Sequence, residues 1–228
     1  SEDYDMTVMC GRVNVSDSPL AQVLMTALRV DRLPEPRRNI APGAIAQFVV
    51  QKGEERLLMD GYWSLLIEPR PDGRPGCRPN PKFKTFNARF DRLTSSPLWK
   101  GRYRRQRAII PADGYHEWVG KQCYQISQVG RELALGGLYE TWEFVEGSAA
   151  SFSVITLGEH PRLAHIHNTI PLMLEPEDFD AWLDPGFTQV EAFQDLIKPA
   201  LHHALRMVPV SSPATLEVAG PEEVIERD

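Results

Sequence analysis

The 228-residue sequence is 42% hydrophobic and 25% charged, which is enough apolar material to bury the core of one domain. Its formal net charge of −6 excludes non-specific nucleic-acid binding over the whole surface, but it is compatible with a local basic groove. No apolar run approaches the ~20 residues of a membrane span, and the acidic residues 1–8 lack the apolar core of a secretory signal.

The cysteines indicate a reducing environment. Cys10, Cys77 and Cys123 are widely separated and form no C-x-x-C pair or Cys/His cluster. A zinc site and a disulfide framework are therefore not expected. We predict no metal and no cofactor, no membrane partner, a monomer, and a cytoplasmic protein.

The first half of the chain predicts two helices and two strands. Ser18-Pro19 is a typical helix start, and the apolar positions that follow predict a helix over 19–29. After a turn at 39–43, strands are expected at 45–51 and 56–63. The segment 68–82 is so rich in proline and glycine that we expect a loop without regular structure. Ser96-Pro97 predicts a second helix that ends near Gln106.

The second half is predicted to be mainly β. Six strands are expected, at 107–111, 115–119, 122–128, 132–142, 151–157 and 170–174. Amphipathic segments at 176–183 and 188–198 predict helices, and the acidic tail beyond Ser211 is expected to be loosely held. Strands interleaved with helices without regular βαβ alternation indicate an α+β domain.

Cys10 carries the most distinctive chemistry in the sequence, in Val8-Met9-Cys10-Gly11-Arg12. If it became the first residue, its amine and thiol would form a 1,2-aminothiol. The amine condenses with an aldehyde to a Schiff base, and the thiol closes the adduct into a stable thiazolidine. An internal cysteine is more often simply buried.

Three further polar residues are candidates for chemistry. Asn87 lies between apolar positions, Glu117 lies between His116 and Trp118, and His167 precedes a predicted strand. Each also has an ordinary structural interpretation: a backbone-bonding amide, an ion-pair partner and a buried structural imidazole. Spacing alone does not identify the site.

The order of several short segments carries more information than any one of them. They are MCGR (9–12), NIAPG (39–43), NAR (87–89), PADGYHEW (111–118), GGLYETW (136–142), SFSVIT (151–156) and IHNTIPLML (166–174). In this order the sequence resembles the SRAP family, the SOS response-associated peptidases or abasic-site processing proteins, from Met9 to about Val210. The resemblance implies one SRAP domain, with a mixed, mostly antiparallel sheet that forms a barrel-like core flanked by helices.

The resemblance also implies a mechanism. Family members expose the cysteine of MCGR as residue one, and it forms a thiazolidine DNA–protein crosslink with the aldehyde of an abasic site in single-stranded DNA. By this resemblance Cys10 is the nucleophile and Asn87 holds the cysteine amine or the sugar. Glu117 is the general acid/base in Schiff-base formation and leader removal, and His167 assists ring opening and crosslink reversal.

Five residues are expected to contact the DNA. Arg12 and Arg89 would bind phosphates, and Asn39 would position the site. The segment 100–107 holds five cations in eight residues, and Arg104 and Arg105 are expected to follow the DNA backbone. A solvated helix face explains the same charges equally well.

The sequence departs from the family pattern at its start and around the DNA. Residues 1–9 precede Cys10 and are interpreted as a leader, or as residues from an upstream start or an added segment. The SRAP domain is assigned to 10–212 and an acidic tail to 213–228. Thr169 stands where the family often has an arginine, and the usual aromatic wedge is missing after Trp63. A different junction preference or weaker DNA binding is expected.

Two other functions stay open. The chain could be a cysteine-dependent autopeptidase whose substrate is its own leader, with no important role on DNA. It could also be a non-catalytic single-strand binding module. The first alternative requires Cys10 and Glu117 for loss of residues 1–9, and the second requires neither.

Overall fold

A computed structural model of the chain describes residues 11–228, which form mostly β-structure with three short helices. The helices are α1 (Pro19–Ala27), α2 (Lys100–Arg105) and α3 (Phe179–Leu183). The strands, in chain order, are β1 (Val13–Val15), β2 (Arg37–Ile40), β3 (Ile45–Lys52), β4 (Glu55–Trp63), β5 (Ile67–Pro69), β6 (Cys77–Pro79), β7 (Asn87–Arg89), β8 (Arg107–Ala112), β9 (Gly114–Val119), β10 (Gln122–Gln128), β11 (Leu133–Phe144), β12 (Gly147–Leu157), β13 (Ile170–Pro171), β14 (Leu205–Val210) and β15 (Glu223–Ile225).

Five strands close into a barrel. Their order is β11-β8-β3-β4-β12, and β12 pairs back onto β11. Neighbouring strands are antiparallel except β4 and β12, which run parallel with Ser151 opposite Tyr62. All three helices contact β8. The α+β class and the barrel-like core flanked by helices are therefore confirmed.

The barrel is narrow, and two glycines allow its strands to approach closely. A Cβ on Gly61 would lie 2.6 Å from the Phe48 ring and 2.8 Å from the Ala150 carbonyl oxygen. A Cβ on Gly137 would overlap the Ser153 carbonyl oxygen. Phe48 and Phe152 fill the space with ring centroids 5.1 Å apart, so a larger residue at either glycine would force the strands apart.

A second, antiparallel sheet lies beside the barrel in the order β15-β14-β10-β9-β1-β2. The chain passes from the barrel into this sheet at one residue, Asp113, between β8 and β9. The Asp113 amide donates to the Asn14 carbonyl oxygen at 2.7 Å, and its carboxylate accepts a hydrogen bond from Ser16 at 2.8 Å. These bonds hold β1 at the junction of the two sheets.

The second half of β12 has a short strand on each side. β7 runs parallel to it, with Asn87 opposite Val154. β13 runs antiparallel, with Pro171 opposite Thr156. The segments that carry Asn87 and the loop before β13 are thus fixed to the same end of β12.

Most predicted elements are confirmed. Helix α1 is capped by Ser18, whose hydroxyl accepts a hydrogen bond from the Ala21 amide, and Pro19 is its first residue. Each strand expected between 45 and 174 is present, the last of them as the two-residue β13. The second helix begins at Lys100 rather than after Ser96, because a turn to the Ser96 carbonyl precedes it.

The prediction of an irregular loop over 68–82 is wrong in part. β5 and β6 form a two-stranded hairpin there, with Glu68 opposite Arg78 and their side chains 2.8 Å apart. Pro69 and Pro79 are tolerated because each strand has only one neighbour, so the missing N–H groups break no second ladder.

The helix predicted over 188–198 is also wrong. The structure has only one 3₁₀ segment there, Val190–Phe193. Val190 and Phe193 are three residues apart, which matches the three residues per turn of a 3₁₀-helix and buries both against the core.

The tail is not loosely held beyond Ser211. β15 pairs with β14, and Leu205 lies opposite Ile225. Ile225 is only 5% exposed and belongs to the main core. One buried isoleucine in an acidic segment is too weak a sequence pattern to predict a strand.

Candidate active site

Glu117 is buried on β9. It is 4% exposed and lies opposite Tyr124 of β10. The neighbouring thiol, Cys123, is also buried, and its pKa is raised to about 11 by desolvation and then by the charge of Glu117. Cys123 therefore stays protonated near neutral pH, which excludes it as a thiolate nucleophile.

The start of the described chain lies against the same strand. Val13 is opposite Tyr115, and the His116 amide donates to the Arg12 carbonyl oxygen at 3.0 Å. The first described residues therefore lie beside β9, the strand that carries the buried Glu117.

His116, the residue before Glu117 on β9, is fully buried. Desolvation lowers the pKa of its imidazole, so the ring is neutral at physiological pH. Its Nε2 lies 3.3 Å from the Gln125 Oε1, an atom that only accepts hydrogen bonds, which assigns the ring proton to Nε2. His116 therefore contributes no positive charge beside Glu117.

Asn87 and His167 lie on the two segments that flank β12. Asn87 is the half-buried first residue of β7, and His167 lies in the turn before β13. The Thr169 amide donates to the His167 Nδ1 at 3.3 Å, so Nδ1 acts as an acceptor and the ring N–H is on Nε2.

Arg12 and Asn39 are brought together. An Arg12 guanidinium nitrogen lies 3.3 Å from the Asn39 Oδ1. Asn39 has a φ of 56°, a left-handed conformation that asparagine adopts more readily than most residues, and its amide donates to the Asn14 side chain at 2.8 Å. Both side chains flank the start of the chain.

The remaining predicted cations are used in different ways. Arg89 is exposed and forms two 3.2 Å contacts with Asp91. Arg104 and Arg105 are exposed on α2. Arg102 pairs with Glu140 at 3.1 Å.

Arg107 is buried and cannot contact DNA. Its guanidinium donates to carbonyl oxygens at the end of α2 and around α3, which belong to Tyr103, Arg104, Ala181, Trp182, Asp184 and Phe187. Two of the five cations in 100–107 therefore hold the fold, and the basic track is reduced to Lys100, Arg104 and Arg105.

One exposed aromatic residue was missed by the sequence analysis. Phe83 is 54% exposed between the exposed Lys82 and Lys84, four residues before Asn87. The Asn80 side chain accepts a hydrogen bond from the Lys82 amide at 3.0 Å and shapes this turn. The sequence pattern that could have indicated this exposed ring is an aromatic residue flanked by two lysines, Lys82-Phe83-Lys84.

Cys10 and the proposed leader, residues 1–9, lie outside the described residues. A cavity of about 270 Å³ lies near Cys77 and the β11–β12 turn. Its lining does not include Asn87, Glu117 or His167. Within 11–228 there is no helix suited to crossing a bilayer and no group of three or more His, Cys, Asp or Glu side chains arranged to hold a metal.

The family model described as SOS response associated peptidase (SRAP) matches residues 9–215, and the chain therefore belongs to this family. It is 28% identical over 203 residues to the abasic site processing protein YoqW of Bacillus subtilis, covering 84% of this chain and 87% of the relative. It is 28% identical over 196 residues to the abasic site processing protein YedK of Escherichia coli, covering 81% and 83%. A solved protein from Bacteroides thetaiotaomicron has the same fold, with a TM-score of 0.68, 18% identity, and coverage of 87% and 91%.

Proposed function

We propose that this protein captures abasic sites in single-stranded DNA as a covalent thiazolidine on Cys10, once the amine of Cys10 is free. The observation that carries the proposal is the pairing of Arg12 with His116, next to the buried Glu117. Cys10 directly precedes Gly11, the first described residue. Relatives named as abasic site processing proteins support the same substrate.

The reaction is a condensation that releases one water. The Cys10 amine adds to the aldehyde carbon of the ring-opened sugar and gives a carbinolamine. Protonation of the carbinolamine hydroxyl and loss of water leave an iminium ion that keeps its N–H proton, and the thiol sulfur then adds to the iminium carbon as the thiol proton is removed. No oxidant or reductant is needed.

Glu117 is suited to move the protons of this sequence. Its carboxyl group is buried on β9, where it can act as a general acid and donate a proton to the leaving hydroxyl of the carbinolamine. The resulting carboxylate then accepts the thiol proton. Cys77 and Cys123 do not compete, because burial raises the pKa of both thiols and neither is an N-terminal residue.

Asn87 and His167 would act on the sugar side. His167, with Nδ1 accepting from Thr169, presents Nε2–H as a donor to the ring oxygen, which promotes opening of the cyclic hemiacetal to the aldehyde. The Asn87 amide can both donate and accept, which suits it to hold the sugar hydroxyl or the cysteine amine.

The DNA would be held by cations and by one exposed aromatic ring. Arg12 and Arg89 carry guanidinium groups suited to phosphates, and Asn39 orients Arg12. Phe83 provides a stacking surface for an unpaired base, with Lys82 and Lys84 beside it. This surface supplies an aromatic contact in a chain that lacks the usual wedge after Trp63.

The function is tested with two otherwise identical single-stranded oligonucleotides. One carries an abasic site, and the other carries its tetrahydrofuran analogue, which has no hemiacetal and cannot open to an aldehyde. Protein that begins at Cys10 is expected to give a slower band on a denaturing gel with the first oligonucleotide only. Bands of equal intensity with both, or no band with either, would overturn the proposal.

Arg104 and Arg105 are expected to contribute to the salt dependence of binding. Replacing both with glutamine should make the slope of log affinity against log salt shallower by about 1.4, because each single-strand phosphate contact contributes ~0.7. Fluorescence anisotropy with an undamaged single strand at several salt concentrations measures this slope.

The matched control for these two arginines is the double variant Lys52→Gln and Lys198→Gln. It removes the same two charges from other exposed positions. If both double variants make the slope shallower by the same amount, the effect comes from net charge in general. Helix α2 is then not part of the DNA-binding surface.

A further inference from the structure

Residues at the end of the described chain hold the loop that carries His167. The loop, residues 158–169, joins β12 to β13. Its middle is formed by a 3₁₀ turn, Pro161–Leu163, which contacts the segment from β15 to Asp228. The family match ends at residue 215, so this segment lies beyond it.

Asp228 is the centre of these contacts. Its carboxylate accepts a hydrogen bond from the Leu201 amide at 2.8 Å and lies 3.0 Å from the His160 Nε2. A guanidinium nitrogen of Arg162 is 3.3 Å from the same carboxylate. The Leu201 amide, His160 and Arg162 hold the pKa of Asp228 below its ordinary value, so the group is ionised at neutral pH.

His160 and Arg162 connect this carboxylate to the turn. His160 is 3% exposed, and its Nδ1 accepts a hydrogen bond from the Arg162 amide at 3.1 Å, so its ring proton is on Nε2 and is donated to Asp228. Arg162 also donates to the carbonyl oxygens of Glu226 and Arg227, at 2.6 and 2.8 Å.

A short chain of hydrogen bonds leads from this turn to His167. The Leu163 amide donates to the His160 carbonyl oxygen at 2.9 Å. The amides of Ile166 and His167 both donate to the Leu163 carbonyl oxygen, at 2.9 and 3.0 Å. Leu163 itself is buried in the core, so a shift of the 160–163 turn would be passed to the backbone of His167.

We propose that Asp228, acting through His160 and Arg162, is a positioning residue that fixes His167 for its part in sugar opening and crosslink reversal. This inference depends on the proposed function, because His167 acts on the sugar only there. Asp228 itself does not touch the DNA or the reacting atoms. Its effect on the reaction is exerted through His167.

The test combines Asp228→Asn with His167→Ala in a double-mutant cycle. Asp228→Asn alone is expected to slow crosslink reversal roughly 10-fold. Displacing a catalytic group by 1 Å can cost ~100-fold in rate, and the loss of one supporting contact is expected to displace His167 by less. In the His167→Ala background the same change is expected to have no further effect. Equal slowing in both backgrounds, or no slowing in either, would overturn the inference.

The matched control is Glu222→Gln. Glu222 belongs to the same C-terminal segment, but its carboxylate pairs with Arg206 of β14 at 3.0 Å and not with the loop. It is expected to reverse its crosslink like the wild type. A Glu222→Gln variant as slow as Asp228→Asn would mean that general loosening of the segment causes the effect.

Amide hydrogen exchange separates this inference from the proposed function, because it needs no DNA. Asp228→Asn is expected to speed exchange at Ile166 and His167 while β3 and β11 keep their protection. If wild-type protein forms no crosslink, the proposed function is wrong. Hydrogen exchange still tests whether Asp228 holds the loop that carries His167. Unchanged exchange at both amides in Asp228→Asn would show that Asp228 does not hold the loop.

Discussion

Protein that begins with Cys10 is expected to crosslink to abasic single-stranded DNA, and protein that keeps residues 1–9 or carries Cys10→Ala is expected not to. The thiazolidine needs an amine and a thiol on the same residue. A peptide bond before Cys10 removes the amine, and alanine removes the thiol. Because ring closure within one residue replaces a bimolecular step, we expect the loss to be ~100-fold or more.

Denaturing gels of the three proteins with one abasic oligonucleotide measure this loss. Cys77→Ala is the matched control, because it removes a half-buried thiol of raised pKa and leaves Cys10 intact. Intact mass before the reaction shows whether residues 1–9 are present, and whether their loss depends on Cys10 and Glu117. A crosslink of normal yield from Cys10→Ala would exclude the proposed chemistry.

Glu117→Gln is expected to slow crosslink formation by about 10²–10⁴-fold. Glutamine preserves the shape of the side chain on β9 but cannot donate and take back a proton. The affinity for undamaged single strands should not change, because the carboxyl group is buried and contributes no phosphate contact. Single-turnover rates on abasic DNA and anisotropy on undamaged DNA measure the two quantities separately.

The control for this variant is Glu143→Gln. Glu143 is exposed on β11, where its carboxylate accepts hydrogen bonds from Ser148 at 3.0 and 3.1 Å. Its crosslinking rate should equal that of the wild type. If Glu117→Gln reacts at the wild-type rate, Glu117 is not the acid/base, and if it also melts at a much lower temperature, its defect is structural.

Local patterns predicted the elements well but not how they join. Ser18-Pro19 and the alternating strands are decided by residues close together in the sequence, which is why α1 and β8–β12 were found. The barrel closes through β4 and β12, which pair Tyr62 with Ser151. Tyr62 and Ser151 are far apart in the sequence, and the pattern of apolar residues along a strand does not show which distant strand it pairs with. Closure of the barrel was therefore expected only from the family resemblance.

The candidate site was also predicted only in part. The sequence analysis named Glu117 between His116 and Trp118, but only the fold shows that both Glu117 and His116 are buried. Charge counting could not separate Arg107 from Arg104 and Arg105, because the carbonyl oxygens that bind Arg107 come from α2 and from the region of α3. Asp228 was missed because its partners, His160 and Leu201, are distant in the sequence.

The pairing of β1 with β9 has a consequence for the timing of synthesis. Tyr115 follows Val13 by about 100 residues, so β1 gains this neighbour only after much of the chain has been made. At ~5–20 residues per second, this takes about 5–20 seconds. During that interval β1 has no β9 to pair with, and enzymes that trim new chains can reach the peptide bond before Cys10. In the proposed function, the order of synthesis thus allows Cys10 to be freed before the strand that carries Glu117 has been made.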